Sequence, residues 1–410
     1  MNKLVLVVLL LIPISLSAQK KQISQAQEII KSGKNLDKAE AMMRKLLRDS
    51  LYKENPKVWN TLTLSLQKQY EQANEKLFLK QAYDTTALFQ VTKRWFMAAE
   101  SLDSIDARPN SKGVSQPRYR RENADMLGKI RPNLYYGGTY YLANKKYQEA
   151  IGFYDLYLDC ARQPLFSSYD YAERDTLRAQ AAYWAMTAGT KLSDADKVLS
   201  YLPIARKDST LLDRVLSYAA MAYLQKKDTT SYTSVLAEGF EKFPLSSFFF
   251  PRLMDYYERH DMEDQAKEIV DKALVVDSTN VLFLYAKSTV LLNMGRYDEC
   301  ISVCQQLLCL SDTVADTYYN LGIAYFNKAI MKEKRLMKQT VKSSERRKEK
   351  AEIKSLFEAS CPYLEKFRAL APEKIPMWSG PLYTIYLHLN KGIEFEEIEK
   401  IRNEYRKNLR

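Results

Sequence analysis

The sequence predicts an all-α fold, a solenoid of stacked antiparallel helix pairs, and three observations carry that expectation. Only 12 of the 410 residues are Gly, less than half the usual level of ~7%. β-Hairpins and phosphate-cradling loops need Gly wherever φ turns positive, so a chain this poor in Gly has few of either. The chain also repeats itself. Units beginning at Ala179, Asp213, Ser247, Val281 and Ala315 follow one another at 34-residue steps. Unit positions 4, 7, 8 and 11, and again 20, 24 and 27, hold mostly apolar or small residues. Each set lies on one face of an α-helix, so a unit is two helices with a turn near positions 14–16. One helix pair cannot bury its apolar face alone, and neighbouring pairs must stack.

The elements follow in order. Residues 1–18 read as a secretory signal: Lys3, the apolar run Leu4–Ile12, then Pro13 and small residues before Gln19. The run is shorter than the ~20 residues a membrane span requires, so the mature chain is expected without a transmembrane helix. No Cys precedes Cys160 and no Asn-x-Ser/Thr occurs, which fits an exported bacterial protein, periplasmic or envelope-associated, without a lipid anchor. Residues 19–106 read as divergent helical repeats, with Ala26, Ala39, Met43, Leu62 and Leu66 as packing positions. The last helix there is expected to run from about Glu75 to Leu102, through Phe78, Phe89, Trp95 and Phe96. Pro109, Gly113 and Pro117 mark 107–118 as a loop.

Residues 119–375 form the main repeat array. Its unit from Arg131 carries Leu134, Gly138, Tyr141, Tyr147, Ala150, Tyr154 and Tyr157. The unit from Ala315 is interrupted by an insertion, 329–356, with ten Lys/Arg and four Glu. That net of +6 is half of the chain's +12. It reads as two helices extended beyond the repeat and meeting near Ser343-Ser344, with the repeat resuming at Phe357. Residues 376–410 read as capping helices, the last polar and charged from Gly392 on.

Tyr318, Leu321, Gly322, Ala324 and Tyr325 in one unit, Gly138, Tyr141, Tyr147 and Ala150 in another, and Ala266 and Ala273 in a third resemble the tetratricopeptide repeat (TPR) family. Lys287, where Leu is usual, and Tyr232, where Ala is usual, depart from its pattern. The resemblance implies a right-handed α-solenoid whose first helices line a concave groove, with position 5 facing it. Here position 5 is Tyr135, Tyr183, Ser217, Pro251, Tyr285 and Tyr319. Rigid aromatics with a polar tip make good anchors, so Tyr135, Tyr183, Tyr285 and Tyr319, extended by Phe326 at position 12, are the candidate partner-binding residues. The same rings can instead pack on the next helix. No unit has Lys at position 5, which argues against the family's carboxylate-gripping Lys/Asn clamp.

Lys332, Arg335, Lys338, Arg346, Arg347 and Lys350 are the candidate basic contact surface, for lipid headgroups, polysaccharide or an acidic protein; otherwise the insertion is a solvated hairpin. Export argues against nucleic acid. Only two histidines are present, His260 and His388, and there is no HExxH, GxSxG, CxxC or Gly-rich phosphate loop. Cys300 and Cys304, four apart on one helix face, read as buried thiols rather than a bridge. No catalytic residue, metal or cofactor is expected. The sequence therefore predicts a non-catalytic scaffold of the bacterial envelope that binds a protein or peptide in a Tyr-lined groove. The alternative is a glycan-binding envelope protein, because aromatic rows also stack on sugars.

Overall fold

A computed structural model describes residues 20–82, 84–338 and 342–408; the signal reading of 1–18 lies outside them. Every regular element among the described residues is a helix, as expected, and none of these helices is long and apolar enough to cross a membrane. The chain divides into two compact units, up to Val235 and from Leu236. The first unit holds α1 (20–32), α2 (Leu36–Leu46), α3 (Pro56–Phe78), α4 (Thr85–Asp106), α5 (Arg120–Ile130), α6 (Pro132–Ala143) and α7 (Tyr147–Asp159). After these come the short α8 (Tyr171–Arg174), then α9 (Arg178–Lys191), α10 (Ala195–Ala205) and α11 (Leu212–Gln225). The division falls within α12 (Thr229–Lys242). The second unit holds α13 (Phe249–Arg259), α14 (Glu263–Val276), α15 (Val281–Asn293), α16 (Tyr297–Leu310), α17 (Ala315–Lys338), α18 (Ser343–Leu370), α19 (Ile375–His388) and α20 (Gly392–Asn408).

The period is written in the backbone. Left-handed φ values occur at Ser193, Lys227, Asp261 and Gly295, successive 34-residue steps, each at position 15 of its unit. At each one the next amide reaches back five residues to close the helix: Asp194 to Gly189, Asp228 to Tyr223, Met262 to Tyr257 and Arg296 to Leu291, at 2.9–3.0 Å. This is the Schellman ending of a helix, which satisfies carbonyls the helix leaves open. Lys145 and Asn390 end α6 and α19 in the same way.

Small residues set the helix crossings. A Cβ on Gly138 would lie 2.7 Å from the Tyr154 ring, and one on Gly322 would lie 2.6 Å from Leu364, so α6 meets α7, and α17 meets α18, at near-backbone distance. Ser360 Oγ seals the second crossing by donating to the Gly322 carbonyl at 2.7 Å. Within the units, neighbours in sequence such as α3 and α4, α9 and α10, and α15 and α16 pack against one another. In the first unit, the segment between α7 and α9 is pinned by Arg131. Its buried guanidinium lies between the rings of Tyr157 and Tyr171, 3.7 and 3.9 Å from their centroids, and pairs with Asp175 at 2.7 Å.

Two elements depart from the sequence reading or extend it. The helix expected from Glu75 to Leu102 is two: α3 runs on to Phe78, and α4 starts at Thr85. The break follows from Lys80, left-handed at φ 53°, and from Asp84, whose side chain accepts from the Thr86 amide at 2.8 Å as an N-cap. Phe78 is consequently 83% exposed. In the interrupted unit, α17 continues through position 15, Ala329, as far as Lys338, and α18 begins at Ser343. The insertion is thus the extended half of a helical hairpin whose buried layers are Leu336, Ile353 and Phe357.

Candidate functional site

The second unit contains a cleft of about 390 Å³ between α13, α14 and α15. Its apolar walls are Phe250, Pro251 and Met254 on α13, with Leu282, Ala286 and Val290 on α15. Leu282 is 45% exposed, an aliphatic side chain presented to the cleft rather than to the core. Pro251, Asp255 and Glu258 occupy positions 5, 9 and 12 of one repeat; Leu282, Tyr285 and Thr289 occupy positions 2, 5 and 9 of the next. The walls are therefore the first helices of adjacent repeats, and Schellman turns hold those helices at a fixed separation from their partners.

Tyr285 stands half-buried in this wall. Burial raises its phenol above the ordinary range, and the nearby carboxylates Asp316 and Glu258 add to the shift. The ring is thus kept neutral and is a hydrogen-bonding tip on an apolar plate. Tyr319, on α17, is also half-buried, with its ring 5.0 Å from that of Phe367; burial, then Asp316, raises its phenol too. Asp316 is tied to Lys374 at 2.7 Å. Beneath this surface, buried Asn320 donates to Ser288 Oγ and Thr289 Oγ1 at 2.9 and 3.0 Å, locking α17 to α15.

The other predicted aromatics lie elsewhere. Tyr135 is 9% exposed, and its hydroxyl donates to Gln180 Oε1 at 2.8 Å. Tyr183 is 2% exposed and stacks on Tyr218. In the first unit both rings fill the join between helices. Phe326 is half-buried, 5.9 Å from the Phe357 ring.

The cleft also carries four carboxylates that the sequence reading did not single out as a site: Asp255, Glu258, Asp261 and Glu263. None of the described residues lining it is Lys or Arg. The register carries a signal for two of them: Asp255 and Glu258 fall at positions 9 and 12, four and seven residues after position 5 on the same helix.

On the hairpin, a second cleft of about 500 Å³ is walled by Leu336, Met337, Ile353 and Phe357 and rimmed by Arg346, Lys350, Lys354 and His388. Arg335, Lys338, Arg346, Arg347 and Lys350 are exposed. Lys332 is engaged internally, bridging Glu349 and Glu352; hydrogen bonds to both raise its pKa. Cys300 and Cys304 are buried free thiols with sulfurs 4.0 Å apart. Among the described residues no group of three or more His, Cys, Asp or Glu is placed to hold a metal.

These helix pairs define an all-α repeat architecture of tetratricopeptide type. No family model matches the chain, and the comparison with curated proteins found no match. Solved chains described as TPR proteins are among those structurally similar to it. One is the C-terminal part of a TPR repeat-containing protein from Cytophaga hutchinsonii, at 11% identity and a TM-score of 0.42, covering 65% of this chain and 93% of that one. Another is YrrB, described as a TPR protein with an unusual peptide-binding site, at 14% identity and a TM-score of 0.34, covering 55% and 97%. A third is a TPR repeats protein from Bacteroides fragilis, at 15% and 0.32, covering 63% and 98%. All three TM-scores lie below 0.5, so the repeat architecture rests on the turns and crossings described above.

Proposed function

We propose that this protein is a non-catalytic binding scaffold of the bacterial envelope, and that it takes an extended segment of a partner protein in the α13–α15 cleft. The observation that carries this reading is the cleft itself: an apolar trough between two first helices, floored by fixed side chains, with a half-buried neutral Tyr285 on one wall. Extended surfaces between stacked helices suit peptide binding. A tyrosine held this way loses little rotamer entropy on contact. The basic hairpin adds a second surface, for an anionic partner.

The test is an array of random dodecapeptides probed with the full chain, followed by fluorescence anisotropy on the best binders. Tyr285→Ala is expected to weaken them about tenfold or more, in line with the ~2 kcal/mol of a hot-spot aromatic. Peptides that bind equally well to Tyr285→Ala would remove the groove. For the export part, removing residues 1–18 should leave the protein in the cytoplasm on cell fractionation.

A further inference from the structure

The charges around the α13–α15 cleft specify what kind of segment it suits, and this inference rests on the groove reading above. Asp255, Glu258, Asp261 and Glu263 all line the cleft, in a chain whose net charge is +12. Helix electrostatics account for only part of the set. Glu263 opens α14, where a carboxylate offsets the helix's positive end, and Arg259 pairs with Asp255 at 2.9 Å. Glu258 lies in the last turn of α13, one residue before its end at Arg259, beside carbonyl ends that already carry partial negative charge. An anion there adds to the helix's own field instead of cancelling it, and Glu258 has no ion-pair partner among the described residues. The lining of this apolar trough thus includes a carboxylate, Glu258, that neither an ion pair nor the helix field offsets, with Pro251, Met254 and Leu282 among its apolar residues.

We infer that the cleft selects a segment bearing Lys or Arg next to an apolar or aromatic residue. The apolar side chain lies on Pro251, Met254 and Leu282, and the cation lies between Glu258 and Glu263. This selectivity runs against the background, because a chain at +12 attracts acidic peptides non-specifically.

The same dodecapeptide array tests it. Binders lost on Tyr285→Ala should be enriched in Lys/Arg adjacent to Phe, Leu, Trp or Tyr. The double variant Glu258→Lys/Glu263→Lys, at two residues outside the core, should weaken those binders tenfold or more and improve their Lys-to-Glu analogues. Far-ultraviolet circular dichroism checks that the variant keeps its helices. Binders that respond to Tyr285→Ala but are acidic, or that ignore the charge reversal, overturn the selectivity and leave the groove standing. Binders indifferent to all three substitutions, or an array without binders, overturn both.

Discussion

Glu100 is the residue at which burial and charge are most plainly opposed. It lies on α4, and its Oε1 is buried with no hydrogen-bond partner among the described residues. Burial, reinforced by Asp159, raises its pKa from 4.5 to about 8. The folded state therefore holds this proton more tightly than the unfolded state does. Stability from the neutral carboxyl is fully present below about pH 4.5 and falls as pH rises toward about 8, beyond which the whole ionisation penalty applies. Glu100→Gln should stabilise the protein at pH 8 by on the order of 2 kcal/mol and leave it little changed at pH 4.5. Urea unfolding of wild type and variant at the two pH values reads the difference; an equal effect at both would place the carboxylate in water. Tyr135 and Tyr183 show the limit of residue-level reading. Position 5 sets each of these rings on the first helix of its unit, but whether the neighbouring helix covers the ring depends on what stands opposite. Gln180 and Tyr218 cover these two, whereas Tyr285 opens onto a cleft.

At the scale of the element, the legible part was whatever recurs. The turn foreseen near positions 14–16 is the left-handed residue at position 15, and Gly138 and Gly322 mark helix crossings because only a residue without Cβ fits there. The α3–α4 break was not legible from apolar spacing, because Glu75 to Leu102 contains neither Gly nor Pro; Asp84 as an N-cap was its one local signal. The turns also show that register, not glycine, is what is repeated: three of the four position-15 residues, Ser193, Lys227 and Asp261, adopt positive φ with a side chain. The left-handed region costs a non-Gly residue roughly 1–2 kcal/mol, while Gly returns ~0.4–1 kcal/mol through greater freedom in the unfolded chain. Lys227→Gly, at an exposed site, should therefore stabilise by roughly 0.5 kcal/mol and Gly295→Ala should destabilise by a similar amount. Thermal unfolding would expose an error in this reasoning if the two shifts had the same sign.

At the scale of the whole molecule the governing feature is where the charge sits. Half of the net +12 lies in residues 329–356, and the hairpin carries it outward: α17 and α18 are 24 and 28 residues long, against 13 for α15. Solenoid stability is close to a sum over neighbouring helix pairs, so an extension beyond the buried layers can be shortened without unfolding the rest. The near layers Leu336, Ile353 and Phe357 belong to the core around α19 and must stay. Replacing residues 337–350 by a short Gly-Asn turn removes six Lys/Arg and two Glu, which takes the net charge from +12 to +8, and keeps those layers and the Lys332–Glu352 contact. Helicity per residue and the unfolding temperature should hold to within a few degrees. Retention on a cation-exchange resin should fall, and co-sedimentation with phosphatidylglycerol vesicles at low salt should drop several-fold, because each Lys or Arg near an anionic surface contributes ~1 kcal/mol and 0.1 M salt screens beyond ~10 Å. Undiminished vesicle binding by the shortened chain would mean that the hairpin is not the surface that meets anions. Loss of cooperative unfolding would mean that its tip is part of the core.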